Sequence, residues 1–399
     1  MTEDTWDIVV AGGGLAGLIA TRAFAELGFK TLCIDPASKA LSFDDPGADF
    51  RSTALLQPSR DFLEEIGIWA HLSEDAMPLE TMRMVDAAGQ KASERVSRDF
   101  CASDISERPF GWNLPNWRIH QGLDAAMKGA PLADLRRGLS VTALWPQTER
   151  MHLTLSDGSR LRTKLLIGAD GKRSFVREAL GIETRTTDFG QSALAFAVSH
   201  PIPHGNVSTE IHLSGGPFTL VPLPDYENRP ASAVVWMEDT QRAKALAALP
   251  QDDFEREMSE RSGYALGQLK RLSPPALWPI TSQAALQFYG QRTALIAEAA
   301  HAMPPIGAQG LNTSIKDISV LHGLLKASPG AIGDDRMLIA YDRKRRLEVQ
   351  ARMAGVGILN RVSQSGLSPI QKLRALGISQ LSDIAPLRRT VMRLGMGSR

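Results

Sequence analysis

Cysteine is almost absent from the 399-residue chain, with Cys33 and Cys101 the only two. Neither a disulfide framework nor a zinc site can be built from that inventory, which points to a reducing, cytoplasmic setting. Charge of one sign is not in excess: the formal net charge is +1 and 22% of residues are charged, so disorder and a nucleic-acid partner are not expected. Long apolar runs are missing too. The N-terminus carries Glu3 and Asp4 where a signal peptide has basic residues, and the first apolar stretch is broken by Gly12-Gly13-Gly14. That stretch reads as neither a signal peptide nor a membrane span. No Ser/His/Asp order falls on a nucleophile elbow, and no ligand cluster suggests a metal.

A length of 399 residues with 43% hydrophobic content permits a sizeable core and a deep cleft, in one large or two interleaved domains. Residues 7–11 read as a buried strand, followed by the glycines, a helix over about Leu15–Leu27 and a strand over Thr31–Asp35, a βαβ opening. Lys164–Ala169 and Thr293–Ala297 read as further strands, each running into a turn and a helix. Strands alternating with helices predict a mixed α/β fold with a doubly wound, Rossmann-like sheet. Residues 185–285 instead alternate apolar and polar, the signature of an antiparallel sheet. The expected domains are 1–75, 109–184 and 286–340 for nucleotide binding, and 76–108 with 185–285 for substrate. Residues 341–399 form a basic helical C-terminal segment.

Gly12, Gly14 and Gly17 match G-x-G-x-x-G between a strand and a helix. The first glycine permits the tight turn, the second a close approach by a pyrophosphate, and the third close helix–strand packing, while the helix start at Leu15 and Ala16 offers free N–H donors. Asp35, at the end of the second strand, suits the adenosine ribose hydroxyls. A glycine-rich turn with Asp35 as a helix cap is the plainer alternative. The motif indicates a dinucleotide and does not choose between NAD and FAD.

Two distant segments resemble the class A flavoprotein monooxygenases, among them para-hydroxybenzoate hydroxylase and the ubiquinone-biosynthesis hydroxylases. One is Gly168-Ala169-Asp170-Gly171 with Ser174 and Arg177; the other runs from Ala294 to Asp317. The resemblance implies one FAD per chain, with Asp170 near the pyrophosphate and Glu298 near the ribityl chain. It also implies that Gly307, Gly310, Leu311 and Asn312 offer backbone donors to the flavin ring at a helix start, where about half a positive charge resides. The family's Gly-Asp pair is Ala297-Glu298 here, a departure expected to loosen FAD without abolishing its binding. The segment from Asp49 to Leu55 and the segment around Phe110-Gly111-Trp112 and Asn116 resemble the ubiquinone hydroxylases more narrowly. They imply a flavin or nicotinamide contact for Arg51, whose plainer role is an ion pair with Asp49, and a flavin contact or a packing role for Gln121. The flavin-halogenase motif Trp-x-Trp-x-Ile-Pro is absent.

The resemblance implies an NADPH- or NADH-dependent monooxygenase in which reduced FAD and oxygen give a flavin 4a-hydroperoxide that an electron-rich phenol attacks. No side chain is assigned as nucleophile or base. Phe218, Leu220, Pro222 and Pro305 are the expected substrate wall. The implied substrate is a polyprenyl phenol of ubiquinone biosynthesis, in association with other proteins of that route. The alternatives are a hydroxylase of a soluble aromatic and a non-catalytic flavoprotein or assembly subunit.

The charge balance hides an asymmetry: from Tyr341 onward twelve Lys/Arg face three acids, a net of +9, which leaves −8 for residues 1–340. Leu387, Val391 and Leu394 fall at helical spacing beside Arg388, Arg389 and Arg393. This helix suits either an anionic membrane surface or packing on the nucleotide domain.

Overall fold

The computed structural model describes residues 4–37, 49, 51–88, 93–365, 371, 377, 380 and 383–396. Phe50, Gly366–Pro369, most of the 371–381 segment and the side chain of Leu387 lie outside them. The chain opens with β1 (Asp4–Ala11), α1 (Leu15–Glu26), β2 (Thr31–Asp35), β3 (Ser52–Leu56), α2 (Gln57–Glu65), β4 (Met77–Leu79), β5 (Thr81–Ala88) and β6 (Ser93–Cys101). Next come β7 (Gly111–Pro115), α3 (Asn116–Lys128), β8 (Ala133–Arg137), β9 (Val141–Pro146), β10 (Met151–Leu155), β11 (Arg160–Gly168) and α4 (Phe175–Ala179). The middle holds β12 (Thr184–Ser199), β13 (Val207–Leu213), β14 (Gly216–Tyr226), β15 (Arg229–Asp239), α5 (Thr240–Ala247), α6 (Gln251–Arg261), β16 (Lys270–Arg271) and β17 (Ala276–Ala285). Then follow β18 (Tyr289–Gly290), β19 (Thr293–Leu295), α7 (Ala297–Ala300), β20 (His301–Ala302), α8 (Gln309–Ala327), α9 (Asp335–Gln364) and α10 (Ala385–Met396).

The first sheet has the order β18-β19-β11-β1-β2-β8, with β10 and β9 added beside β11. Strand β1 runs parallel to both β11 and β2, and β11 runs parallel to β19. Ile8, Val9 and Val10 are fully buried in one core with Leu18 and Ile19 of α1 and Leu153 and Leu155 of β10, which is why this strand is apolar throughout instead of alternating. The C-terminal ends of β1, β11 and β19 lie side by side, where an open α/β sheet binds ligands.

The second sheet has the order β20-β17-β12-β15-β14-β13-β5-β6 and is antiparallel except where β13 runs parallel to β5. Residues 81–101 thus join strands from far along the chain. Helices α5 and α6 cover one face through Phe196, Phe218, Trp236, Phe254 and Met258. The opposite face meets the first domain: Ile306 packs against Ala193, Val235, Met237 and Ile280.

Helix α9, about 45 Å long at 1.5 Å per residue, ties both units together. Near its start the Tyr341 hydroxyl donates to the Leu295 carbonyl at 2.7 Å. Near its end Asn360 donates to Gln191 at 2.9 Å and Ser363 meets His212 at 2.8 Å. Residues Thr293–Ala297 do not form one strand: β19 stops at Leu295, and Ala297 begins the one-turn helix α7.

Candidate active site

Gly12 has φ +106°, and a Cβ there would lie 2.3 Å from the Ala169 carbonyl oxygen, so only glycine allows the first loop to cross the end of β11. At Gly14, the N-cap of α1, no heavy atom stands within 4 Å of the place a Cβ would occupy, and no side chain caps the helix. The N–H donors of the first turn are therefore left without a side-chain cap. Gly17 differs from expectation: its Cβ would meet the Gly12 carbonyl oxygen at 1.8 Å, so this glycine serves closure of the loop itself more than helix–strand packing. Asp35 accepts from the Gly13 N–H at 2.5 Å and from Ala37 at 2.8 Å, which anchors the glycine loop to the end of β2.

On the adjacent loop one carboxylate oxygen of Asp170 accepts from the Val176 N–H at 3.0 Å. The other, Oδ1, is buried and has no hydrogen-bond partner among the described residues. A buried acceptor left unmet costs free energy unless a ligand donor reaches it. Arg177, also buried, donates to the carbonyls of Ala299 and Lys172 at 2.9 Å each and so ties this loop to α7.

The third loop departs from the family pattern in a way that has structural consequences. Ala297 has φ +54° and Ala308, the N-cap of α8, has φ +55°, both left-handed conformations that favour glycine. Glu298 is exposed on α7. Gly307 has φ +64°, and the first turn of α8 begins at Gln309, which places Gly310 and Leu311 among its unpaired N–H donors. The Asn312 side chain accepts from Leu56 at 2.9 Å and donates to the Ala54 carbonyl at 2.7 Å, so it pins α8 to β3. Pro305 is exposed on the same loop. Ile315, Ile318 and Leu321 are the buried stripe of α8.

Beneath that loop is a charged cluster that sequence reasoning missed. Asp317 is fully buried and takes His301 Nε2 at 2.7 Å, the Ala297 N–H at 3.1 Å and Arg345 Nε at 2.8 Å. Burial alone would raise its carboxyl, but His301 and Arg345 overcome this and hold it below the ordinary carboxylate range.

Arg51 forms both the ion pair and a second contact. Its Nε and Nη2 each reach Asp49 at 2.7 Å, and its guanidinium stacks 4.3 Å from the Trp278 ring centroid. Burial opposes the Arg51 charge, yet Asp49 and Glu298 leave its proton held more tightly than usual. Asn116 donates to Asp49 at 2.8 Å and accepts from Thr53 at 2.7 Å. Gln121, half-buried on α3, accepts from Arg118 at 3.2 Å.

The expected substrate wall needs correction. Phe218 and Leu220 lie with Trp236 and Phe254 in the core under α5 and α6, on the side of the sheet away from the flavin loop. Successive side chains of a strand point to opposite faces, so Thr219 and Val221 turn toward the loop side. Their companions there are Ala193, Ala195, Ala197, Ala233 and Val235. Pro222 stands at the border between the domains, where its carbonyl accepts from Asn113 of β7 at 2.9 Å.

These loops fit FAD: an uncapped helix start beside three glycines for the pyrophosphate, a buried unmet acceptor on Asp170, and the open start of α8 for the ring. Among the described residues no cluster suited to a metal occurs, and no helix is long and apolar enough to cross a membrane. Residues 5–355 match the family model for the FAD binding domain. The chain is 32% identical over 404 residues to a ubiquinone hydroxylase (UbiL) of Rhodospirillum rubrum, with 98% of this chain and 90% of the relative covered. It is 26% identical to the 3-demethoxyubiquinol 3-hydroxylase of Escherichia coli, with 100% of each covered. The solved p-nitrophenol 4-monooxygenase of Pseudomonas putida shares the fold, with a TM-score of 0.80, 17% identity and 99% of each chain covered. A match across most of its length, joined to relatives aligned end to end, establishes that the chain belongs to the FAD-dependent aromatic hydroxylases, in the family of the ubiquinone hydroxylases.

Proposed function

We propose that the protein hydroxylates the ring of a polyprenyl phenol on the route to ubiquinone, with NADPH or NADH as reductant. The observation that carries the substrate class is the loop-side face of the second sheet. Ala193, Ala195, Ala197, Val221, Ala233 and Val235 make its centre apolar and built of small side chains, with Glu210 of β13 opposite Thr219 at its margin. A soluble benzoate would need a cation for its carboxylate; an isoprenoid needs room and apolar surface.

FAD, when bound, supplies the activation of oxygen. The chain's own residues bind and enclose. Gly12, Gly14 and the start of α1 would hold the pyrophosphate, Asp170 would accept from a sugar or ribityl hydroxyl, and Asp35, which fixes the glycine loop, would accept from the adenosine ribose. The Gly310 and Leu311 N–H groups at the start of α8 would donate to the flavin ring and favour negative charge there. The alanine face excludes water from the reacting ring.

Reversible attachment to an anionic membrane surface belongs to the same reading. On α10 Met392 and Met396 are buried against Phe100, Ala102 and Phe110, and Gln309 of α8 donates to the Gly395 carbonyl at 3.2 Å, so one face of this helix packs on both units. The other face leaves Val391 at 40% and Leu394 at 68% exposure, next to exposed Arg389 and Arg393. Apolar and basic side chains together suit anionic lipid.

The test supplies the FAD-loaded enzyme with NADPH or NADH, oxygen and either a polyprenyl phenol or para-hydroxybenzoate, and follows hydroxylated product. Product from the polyprenyl phenol supports the reading. Product from the benzoate alone overturns the substrate, and no product from either points to a non-catalytic flavoprotein.

A further inference from the structure

Trp278 is 45% exposed on β17, and its indole supports the Arg51 guanidinium at 4.3 Å. The two residues belong to different units. Arg51 immediately precedes β3, whereas Trp278 pairs with Ala193 of β12 in the second sheet. Their stack therefore bridges the two units. Ile280, two residues along β17 and on the same strand face, packs with Ile306 of the flavin loop. The indole thus stands at the rim of the apolar face that backs the site.

Arg51 is seated from behind by a chain of bonds through Thr53, Asn116 and Asp49, while Glu298 of the third flavin loop draws on its charge from further off. The guanidinium is held in one place, with 41% of its side chain open to solvent. A stacked arginine and indole present what a nicotinamide nucleotide seeks: cationic N–H donors for phosphate and flat surfaces for a heteroaromatic ring. The sequence holds a single G-x-G-x-x-G, which the FAD occupies, so a transient nucleotide has no Rossmann loop of its own.

We propose that Trp278 is a positioning residue for the reductant, holding Arg51 between the two units and forming with it the surface on which the nicotinamide nucleotide docks. The inference rests on the hydroxylase reading for the identity of that reductant. In the step served, a hydride leaves the dihydronicotinamide ring, NAD(P)H becomes NAD(P)+, and the bound cofactor takes up the hydrogen with its electron pair.

The experiment uses FAD-loaded wild type, Trp278→Ala and Trp278→Phe. Calorimetric titration with NADP+ and NAD+ gives nucleotide affinity, anaerobic stopped flow with NADPH and NADH gives the reduction rate, and FAD affinity is measured alongside. Trp278→Ala is expected to weaken nucleotide binding about tenfold with FAD affinity within about twofold of wild type, and Trp278→Phe to recover most of the loss. Unchanged nucleotide affinity and reduction in Trp278→Ala overturns the proposal alone, as does an equal loss of FAD affinity, which marks a purely structural role. A wild-type enzyme that neither binds nor accepts hydride from either nucleotide overturns the proposal together with the reading beneath it.

Discussion

Asp317 Oδ2 lies 2.7 Å from His301 Nε2 and also accepts the Ala297 N–H, so one fully buried carboxylate fixes both ends of the α7 turn under the flavin loop. Arg345 of α9 grips its other oxygen at 2.8 Å. Removing one partner from a buried charge cluster strands the others, at a cost of about 3–5 kcal/mol. Asp317→Asn is expected to lower the urea midpoint accordingly and to loosen FAD. The pH dependence has a definite sign. The folded carboxyl titrates below its ordinary value of 3.8, so its stabilisation is complete above that value and is lost as the pH falls through the lower folded one. Acid unfolding of Asp317→Asn should lack this component.

Ala297 keeps a left-handed backbone at φ +54° without being glycine. The conformation costs a non-glycine residue on the order of 1 kcal/mol. Ala297→Gly relieves it and is expected to raise the melting temperature and tighten FAD modestly, as read by thermal scans and flavin titration. A lower melting temperature would show that the turn is unstrained.

Asp170 Oδ1 is the buried acceptor that the protein does not satisfy. Asp170→Asn retains an oxygen for the Val176 N–H, so the fold should survive while FAD affinity drops by about 10- to 100-fold, the equivalent of 1–3 kcal/mol. Asp35, whose carboxylate already holds two backbone N–H groups, should cost less affinity when changed to alanine. Equilibrium titration of the two variants ranks them.

Arg51→Ala removes the cation between the two units while the three phosphate and ring loops remain. Stopped-flow reduction by NADPH or NADH should slow by at least tenfold, with a smaller change in FAD affinity. A normal rate at saturating nucleotide would assign Arg51 to its ion pair with Asp49 alone.

The two faces of α10 separate docking from lipid binding. Met392→Ala with Met396→Ala should destabilise by ~2 kcal/mol each through lost packing against Phe100 and Phe110. Val391→Glu with Leu394→Glu should leave the melting temperature in place and abolish co-sedimentation with anionic liposomes at low salt. If the wild type ignores such liposomes, α10 is purely structural.

Sequence reading reached what local pattern determines. The run Ile8–Val10, the crossing at Gly12 and the stripe Ile315, Ile318 and Leu321 each follow from residue type and spacing, and they recur in the fold. It failed where chain segments meet. Strand β14 has apolar residues on both faces, so periodicity could not say whether Phe218 or Val221 turns toward the flavin loop; that is decided by α6 covering one side. Asp317 stood at the end of a recognisable segment, but its partner Arg345 lies 28 residues away on another helix. Trp278 and Arg51 are brought together only by the packing of two sheets.

The most direct test of an FAD-dependent hydroxylase for a polyprenyl phenol is the origin of the new hydroxyl oxygen. The loaded enzyme turns over with NADPH or NADH in isotopically heavy O2 and ordinary water, and the product is weighed by mass spectrometry. The account predicts one heavy atom on the ring for each nucleotide consumed in coupled turnover. A ring that carries no heavy oxygen while the nucleotide is consumed would contradict it.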